Sequence, residues 1–341
     1  MNQKILKFDY PLITSYPTHA NMFTVLNNNV QSNVWFYNYY IQLFARKNRP
    51  EEGYVDFYAP KPWITCPFIH YQRFDRSFVK IKWNSIIDFL IDAVDNDYYA
   101  FLYLNGFYIP RYWSYNSLNF MHDTLVFGYD KLKEEIFTAD FYGVETKYST
   151  NQVPFENIQS AYETLDLTHN IDLLEGIILL KPKHNVQYEI DLGLIKRFLN
   201  DYISCKTSTF GYSEGYRFDV HLSKDDFVFG LEVYNVLLSY LEILKDPQKP
   251  KFIRGIYVLK DYCVLMLMRL EFLNQCGCIL NFNNIFNCRI QILNKIKLLL
   301  STLLKSFLAN DTRLINKAID LINDIRLMDE ENINEIIQNI K

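Results

Sequence analysis

Residues 119–141 read NFMHDTLVFGYDKLKEEIFTADF, and the stretch alternates twice. His122, Thr124, Val126 and Gly128 share one face of the outgoing run, and Ile136, Thr138 and Asp140 share one face of the return. Period-two alternation on both sides of Lys131 predicts a two-stranded antiparallel hairpin with one half-buried face. With the turn centred on Lys131, His122 lies directly across from Asp140, and opposed residues point to the same side. A pairing shifted by two residues keeps them on one face as diagonal neighbours, whereas a one-residue slip separates them. A carboxylate behind an imidazole fixes its tautomer and stabilises the imidazolium, the orienting half of a nucleophile–base–orienter triad. The hairpin itself contains no nucleophile for such a triad.

Working outward, 341 residues with 49% hydrophobic content can bury a large core and have room for two domains. A net charge of −4, with no Lys/Arg stripe interleaved with aromatics, argues against a nucleic-acid partner. The opening MNQKILKFDYPLITSYP has no long apolar core and no small-residue cleavage site, so a cytoplasmic protein is expected. No apolar run has the length of a membrane span, and GIILL at 176–180 suits a buried strand. The six cysteines follow no zinc-site spacing and read as free thiols, with no metal or other cofactor expected. The 26 Tyr and 26 Phe read first as a ring-rich core.

Helical spacing of His19, Met22, Val25 and Leu26, with Thr18 as cap, predicts a helix ending near Asn27 to Asn29. Residues 34–44, aromatic on all sides, fit a buried helix or a strand, and residues 49–67 read as a loop-rich connection. Ile86, Ile87, Leu90, Ile91 and Val94 trace a helix face, residues 98–105 a strand, and Ile158, Ala161, Tyr162 and Leu165 a further helix opened by Pro154. Beyond an apolar segment at 173–180, helices are predicted after Asp191, from Ser223 or Asp225 to about Leu244, and over 253–274, 284–310 and 311–328. The division is therefore a helix-plus-sheet domain over 1–168 and a mainly helical domain over 169–341.

The run from Ile91 to Phe141, IDAVDNDYYAFLYLNGFYIPRYWSYNSLNFMHDTLVFGYDKLKEEIFTADF, resembles the N-terminal domain of the butirosin biosynthesis protein H family, relatives of papain-like cysteine peptidases. The resemblance covers roughly 11–165 and rests on the order of its parts. These are a helix, a strand ending in an aromatic-rich turn, an aromatic before His122, a strand closing in Gly-Tyr-Asp, and Asp140 on the next strand. It implies an α+β fold, with a papain-like N-terminal domain of antiparallel sheet and helices followed by a mainly α-helical domain. It also implies transfer of an acyl or peptidyl group from a carrier-protein thioester to an amine in nonribosomal peptide or other natural-product assembly. The partners implied are an acyl or peptidyl carrier protein, whose phosphopantetheine presents the substrate, and an amine acceptor. Self-association into a homo-oligomer is left open.

The family's nucleophilic cysteine opens the first helix, and the matching stretch YPTHANMFTVL places Ala20 there. Three accounts compete: an engineered Cys→Ala replacement, a natural loss that leaves a binding protein, and direct aminolysis with His122–Asp140 as the base. By the same resemblance His19 adjoins the nucleophile position and lines the pocket, the substitute oxyanion donor is Thr14, Ser15 or the backbone N–H groups at the helix start, and Asn105 is a polar substrate contact. Cys66, flanked by Pro62 and Pro67, is not at a helix start that would lower its pKa. His70, His169, His184 and His221 show no partner pattern.

Overall fold

In chain order, the computed structural model, which describes residues 1–26, 30–59, 62–143, 147–165, 176–208 and 224–341, has the following elements. They begin with strand β1 (Gln3–Ile5), helices α1 (Pro17–Leu26) and α2 (Val30–Tyr39), strands β2 (Leu43–Arg46) and β3 (Val55–Phe57), and the short helix α3 (Pro62–Thr65). Next come β4 (Ile69–Asp75), α4 (Arg76–Lys82), α5 (Ile86–Asp95), β5 (Tyr99–Asn105), β6 (Met121–Asp130), β7 (Glu135–Tyr142), β8 (Lys147–Pro154), α6 (Phe155–Glu163) and β9 (Gly176–Pro182). The chain continues with α7 (Leu192–Ile203), β10 (Phe227–Phe229), α8 (Val233–Ile243), α9 (Arg254–Gln275), α10 (Phe282–Ala309) and α11 (Arg313–Asn339). The fold is α+β, and among the described residues every paired strand is antiparallel.

Two compact units form, Met1–Ser32 with Lys61–Gln187, and Asn33–Pro60 with Tyr188–Lys341. The division differs from the single break predicted at residue 168. β9 follows that point yet pairs with β4 and β5 in the first unit, while residues 33–60 contribute α2, β2 and β3 to the second. Local sequence pattern cannot show either placement, because each depends on a partner strand far away in the chain.

The first unit is a sheet of order β4-β9-β5-β6-β7-β8, with β1 pairing the far end of β6. On one face Ala100, Leu102, Leu104, Val126, Ile136, Val153, Ile177 and Leu179 form a core with Ile86, Leu90, Val94, Ile158 and Ala161 of α5 and α6. α5 forms where predicted: the Ser85 hydroxyl accepts from the Asp88 N–H at 3.0 Å, and seven of its ten residues are buried. That cap is worth ~1 kcal/mol, and each buried Ile or Leu side chain about 1.5–3 kcal/mol relative to exposure. α1 serves the other face. Asn21 accepts from the Tyr148 hydroxyl at 2.7 Å, and Tyr148 pairs with Phe141, whose side chain points away from the α5/α6 face. α1 begins at Pro17, so Thr18 lies inside the helix rather than capping it. Pro is well suited to a first turn, where its missing N–H would have no partner.

The hairpin predicted over 119–141 is present, with a bulge that the alternation did not show. Asp130 pairs with Glu135 and Gly128 with Phe137, but Val126 pairs with Thr138 and Leu125 with Ala139, so Phe127 is an extra residue. A bulge shifts the register by one and turns every residue beyond it to the other face. Continued without it, the turn-end register would set Asp140 against Leu125, away from His122. With it, Thr124 comes opposite Asp140 and His122 becomes its diagonal neighbour on the same face. The shared face predicted for the pair is therefore present, while the direct pairing is displaced by two residues and Gly128 leaves the His122 face. Gly128 is glycine for a separate reason: a Cβ there would lie 2.9 Å from the Lys4 carbonyl oxygen of β1.

The second unit joins a three-stranded sheet, β10-β2-β3, to helices α2 and α7–α11. Residues 34–44 are thus helix and then strand, and residues 49–67 hold β3 and α3 within the predicted loop. Asp191 caps α7 by accepting from the Leu194 N–H at 2.8 Å, as predicted. Residues 227–229 are a strand, so α8 starts later than expected; Ser223, His169, His221 and Asn27 to Asn29 lie outside the described residues. α11 runs eleven residues beyond Met328, because Asn332, Ile333 and Ile336 continue its buried stripe. Asn310, in the left-handed conformation at φ 51°, ends α10 and turns the chain into α11.

Buried charge ties these helices together. Arg289 on α10 donates to Asp329 on α11 at 2.6 Å and to Asn332 at 2.8 Å. The other Asp329 oxygen accepts from Tyr202 of α7 at 2.6 Å and from Tyr234 of α8 at 3.0 Å. Arg269 of α9 donates to the carbonyls of Tyr37 and Tyr40, at 2.7 and 2.8 Å, and so satisfies oxygens left over at the end of α2. Burial lowers the pKa of Arg269 to about 10, which still leaves it charged at neutral pH.

Candidate active site

The site starts from parity. With His122 on β6 and Asp140 on β7 directed to one face, Nδ1 of His122 lies 2.9 Å from Oδ2 of Asp140. The carboxylate is fully buried, whereas the imidazole side chain keeps 16% of its accessibility. The Thr124 hydroxyl donates to the same Oδ2 at 3.0 Å, the Tyr112 hydroxyl also donates to it, and the Phe141 N–H donates to Oδ1 at 2.7 Å. Donors meet both oxygens, the pattern of an ionised carboxylate, which only accepts. The bond to Asp140 places the imidazole proton on Nδ1 and makes Nε2 the basic atom.

Aromatic rings surround the pair. Tyr112 meets the imidazole edge-on at 5.6 Å, Phe120 lies 5.7 Å away, and Tyr142 stacks on Tyr112 at 5.0 Å. Burial, followed by the nearby Asp140 charge, holds the Tyr142 hydroxyl well above its ordinary range, so it is a neutral wall. Tyr103 is raised in the same way, first by burial and then by Asp123 and Asp140.

Asn105, at the end of β5, holds the segment that carries these rings. Its Oδ1 accepts from the N–H groups of Phe107 and Phe120, at 3.1 and 3.3 Å. Its Nδ2 donates to Asn119 and Thr164, at 2.9 and 3.3 Å. The residue expected to contact substrate thus anchors both ends of the 106–120 segment, two residues before His122. Tyr112, which completes the Asp140 network, was not singled out from the sequence, and no local pattern marks it, since its position depends on how that segment closes.

Ala20, His19 and Ser15 are all buried, on α1 and the stretch leading into it. α1 packs against the face opposite the His122–Asp140 pair, as the Tyr148 bond to Asn21 shows. The structure therefore brings His122 and Asp140 together, places Asn105 at the base of the 106–120 segment that carries Tyr112 and Phe120, and sets the Ala20 region against the other side of the sheet. Among the described residues the buried Ser15 hydroxyl has no hydrogen-bond partner.

Cys66 follows the last residue of α3 rather than opening a helix, and burial pushes its thiol up to about 12. Cys263 is also pushed up to about 12, chiefly by burial. At pH 8 an alkylating reagent is expected to modify the exposed Cys276 of the native protein and to reach Cys66 and Cys263 only after denaturant is added, as read by peptide mass spectrometry. The sign of the pH effect follows from the upward shift. Below the ordinary thiol value of 9.0 both states are neutral, and between there and about 12 only the unfolded chain ionises, so these thiols withdraw stability as pH rises.

Among the described residues no group of three or more His, Cys, Asp or Glu is placed to hold a metal ion, and no helix is long and apolar enough to cross a membrane. No protein-family model matches the chain, and no curated protein matches it.

Proposed function

We propose that the chain is an acyl-transfer protein of natural-product assembly, papain-like in its first unit, in which His122 and Asp140 promote aminolysis of a carrier-bound thioester. The observation that carries this reading is the 2.9 Å bond from His122 Nδ1 to a buried carboxylate, which prepares Nε2 to take a proton. The order of elements along 91–141 adds support. A thioester is already activated, so no enzyme nucleophile is required. The amine nitrogen attacks the carbonyl carbon, Nε2 of His122 removes the amine proton, and the imidazolium returns it to the departing thiolate as the C–S bond breaks. Asp140 holds the imidazole in the required tautomer throughout. The acyl group arrives on the phosphopantetheine of a carrier protein, and the setting is cytoplasmic.

A second reading, a catalytically inactive binder of a pathway intermediate or carrier, is favoured by Ala20 and by the Asp140 network. Tyr112 and Thr124 make Asp140 a structural lock for the 106–120 segment, whatever His122 does. Mixing the purified protein with an acyl-carrier thioester and candidate amines separates the two. Amide is expected without a covalent acyl-protein in the mass spectrum, and His122→Ala is expected to lower the rate by ~10²–10⁴-fold. If this chain forms no amide, or His122→Ala forms it as fast, the acyl-transfer reading fails and the binding reading stands.

A further inference from the structure

Tyr112 and Trp113 are adjacent in the sequence but opposite in surroundings: Tyr112 is buried and donates to Asp140, whereas Trp113 is 56% exposed. The exposed indole packs on Phe120 with ring centres 5.0 Å apart, and the Phe120 ring lies 5.7 Å from the His122 imidazole. Indole, phenyl and imidazole thus form a shelf that leads from solvent to the candidate base. Its backbone is braced without help from these rings. Asn105 holds both ends of the 106–120 segment, the Gly106 N–H donates to the Phe120 carbonyl at 2.6 Å, and the Asn116 N–H donates to that of Phe107 at 2.9 Å. Arg111 and Asn116 adopt left-handed backbone, at φ 70° and 53°, which for arginine is a strained conformation. Trp113 is kept outward on an ordered frame, and a surface fixed before its ligand arrives loses little conformational freedom on binding. The inner end of the shelf is negative, with the Asp123 and Asp140 carboxylates 3.9 and 2.9 Å from Nδ1 of His122.

We propose that this shelf receives the acyl group of the substrate and that the group is a neutral aromatic one, such as an arylacetyl, with its ring on Trp113 and Phe120 and its carbonyl beside His122. The chemistry rests on the acyl-transfer reading, and the binding rests on the rings alone. Aromatic rings pair with centres about 4.5–7 Å apart, the spacing already present along the shelf, so a ligand ring extends the row. An acetyl group leaves the indole uncovered, and an anionic acyl group meets the two carboxylates.

Two measurements on the full chain separate the shelf from the chemistry. Binding is read by ligand-observed NMR titration with unreactive analogues in which N–H replaces the thioester sulfur, namely the phenylacetyl, acetyl and succinyl amides of N-acetylethylenediamine. The phenylacetyl amide is expected to bind about tenfold or more tighter than the other two, Trp113→Ala to remove that advantage, and Trp113→Phe to restore most of it. Turnover is read with the matching N-acetylcysteamine thioesters and one common amine. The phenylacetyl thioester is expected to give a kcat/KM about tenfold or more above the acetyl one, and Trp113→Ala to erase the difference mainly through KM. Selective binding of the phenylacetyl amide at Trp113 with no amide formed from any thioester ends the acyl-transfer reading and leaves the shelf as the ligand site of a binding protein. Equal binding of the three analogues, or binding of the phenylacetyl amide untouched by Trp113→Ala, overturns the shelf, whether or not amide is formed.

Discussion

Replacing Asp329 by alanine is expected to lower the unfolding free energy by about 3–5 kcal/mol, the cost of stranding a buried charge. Arg289 is 0% exposed, and its guanidinium has no path to water when its carboxylate is removed. The Tyr202 and Tyr234 hydroxyls lose their acceptor in the same step. Four helices, α7, α8, α10 and α11, therefore lose a common tie. Asp329→Asn is expected to recover little, since its amide can accept from the tyrosines only by turning its N–H groups toward Arg289, which offers donors alone. The double variant Arg289→Met/Asp329→Leu is expected to recover most of the loss, because apolar side chains of similar volume remove the desolvation penalty along with the attraction. Urea titration checks this through the midpoint at unchanged slope. A single-variant loss below about 1 kcal/mol, or a double variant no better than the single, would sink the account, given what a buried pair ordinarily costs to break. The alkaline side carries a sign as well. Burial first, and the Asp329 charge second, hold Tyr202 and Tyr234 well above the ordinary value of 10.0. Their stabilisation is full below that value and is lost at higher pH, where only the unfolded chain ionises.

None of this network was legible in the sequence, because an arginine and an aspartate forty positions apart on two helices carry no local signature. Periodicity sees one element at a time. It found α5 because Ile86, Leu90 and Val94 repeat at helical spacing behind a capping serine, and it found α7 because Asp191 precedes the same pattern. It could not divide residues 34–44 into α2 and β2, where burial on all sides erases the contrast that either period needs. The three-residue strands β3 and β10 are too short to display alternation at all. At the candidate site, the shared face of His122 and Asp140 was read correctly while their register was not. An unbroken ladder about Lys131 would set His122 directly across from Asp140. The actual ladder has its turn later and an extra residue at Phe127, and together these move the pairing by two, which conserves the face. The site therefore rests on a bulge that alternation cannot reveal, and on Tyr112, which reaches it from outside both strands.

At Asp140 a smaller but more informative loss is expected. Asp140→Ala removes the acceptor shared by His122, Tyr112 and Thr124, and each stranded buried donor costs about 1–3 kcal/mol. Two of those costs are partly recovered, since the Tyr112 and Thr124 hydroxyls already lie 2.9 Å apart and can pair, and the imidazole has an accessible edge that can reach water. A net loss of roughly 2–3 kcal/mol follows, below that at Asp329 because no permanent cation is trapped. Asp140→Asn discriminates better. Its amide oxygen can still accept from one hydroxyl, which limits the stability loss to about 1–2 kcal/mol, yet its N–H facing Nδ1 favours the tautomer with the proton on Nε2. An imidazole in that tautomer cannot take a proton from the amine. If His122 is a base, Asp140→Asn is expected to cost ~10²–10⁴ in amide formation, and combining it with His122→Ala should cost little more than either change alone. If the network only locks the 106–120 segment, activity and stability move together, and Tyr112→Phe with Thr124→Val reproduces the whole effect. Rates and urea midpoints measured on the same five variants decide between these outcomes, and a rate that follows stability across the set ends the catalytic reading of His122.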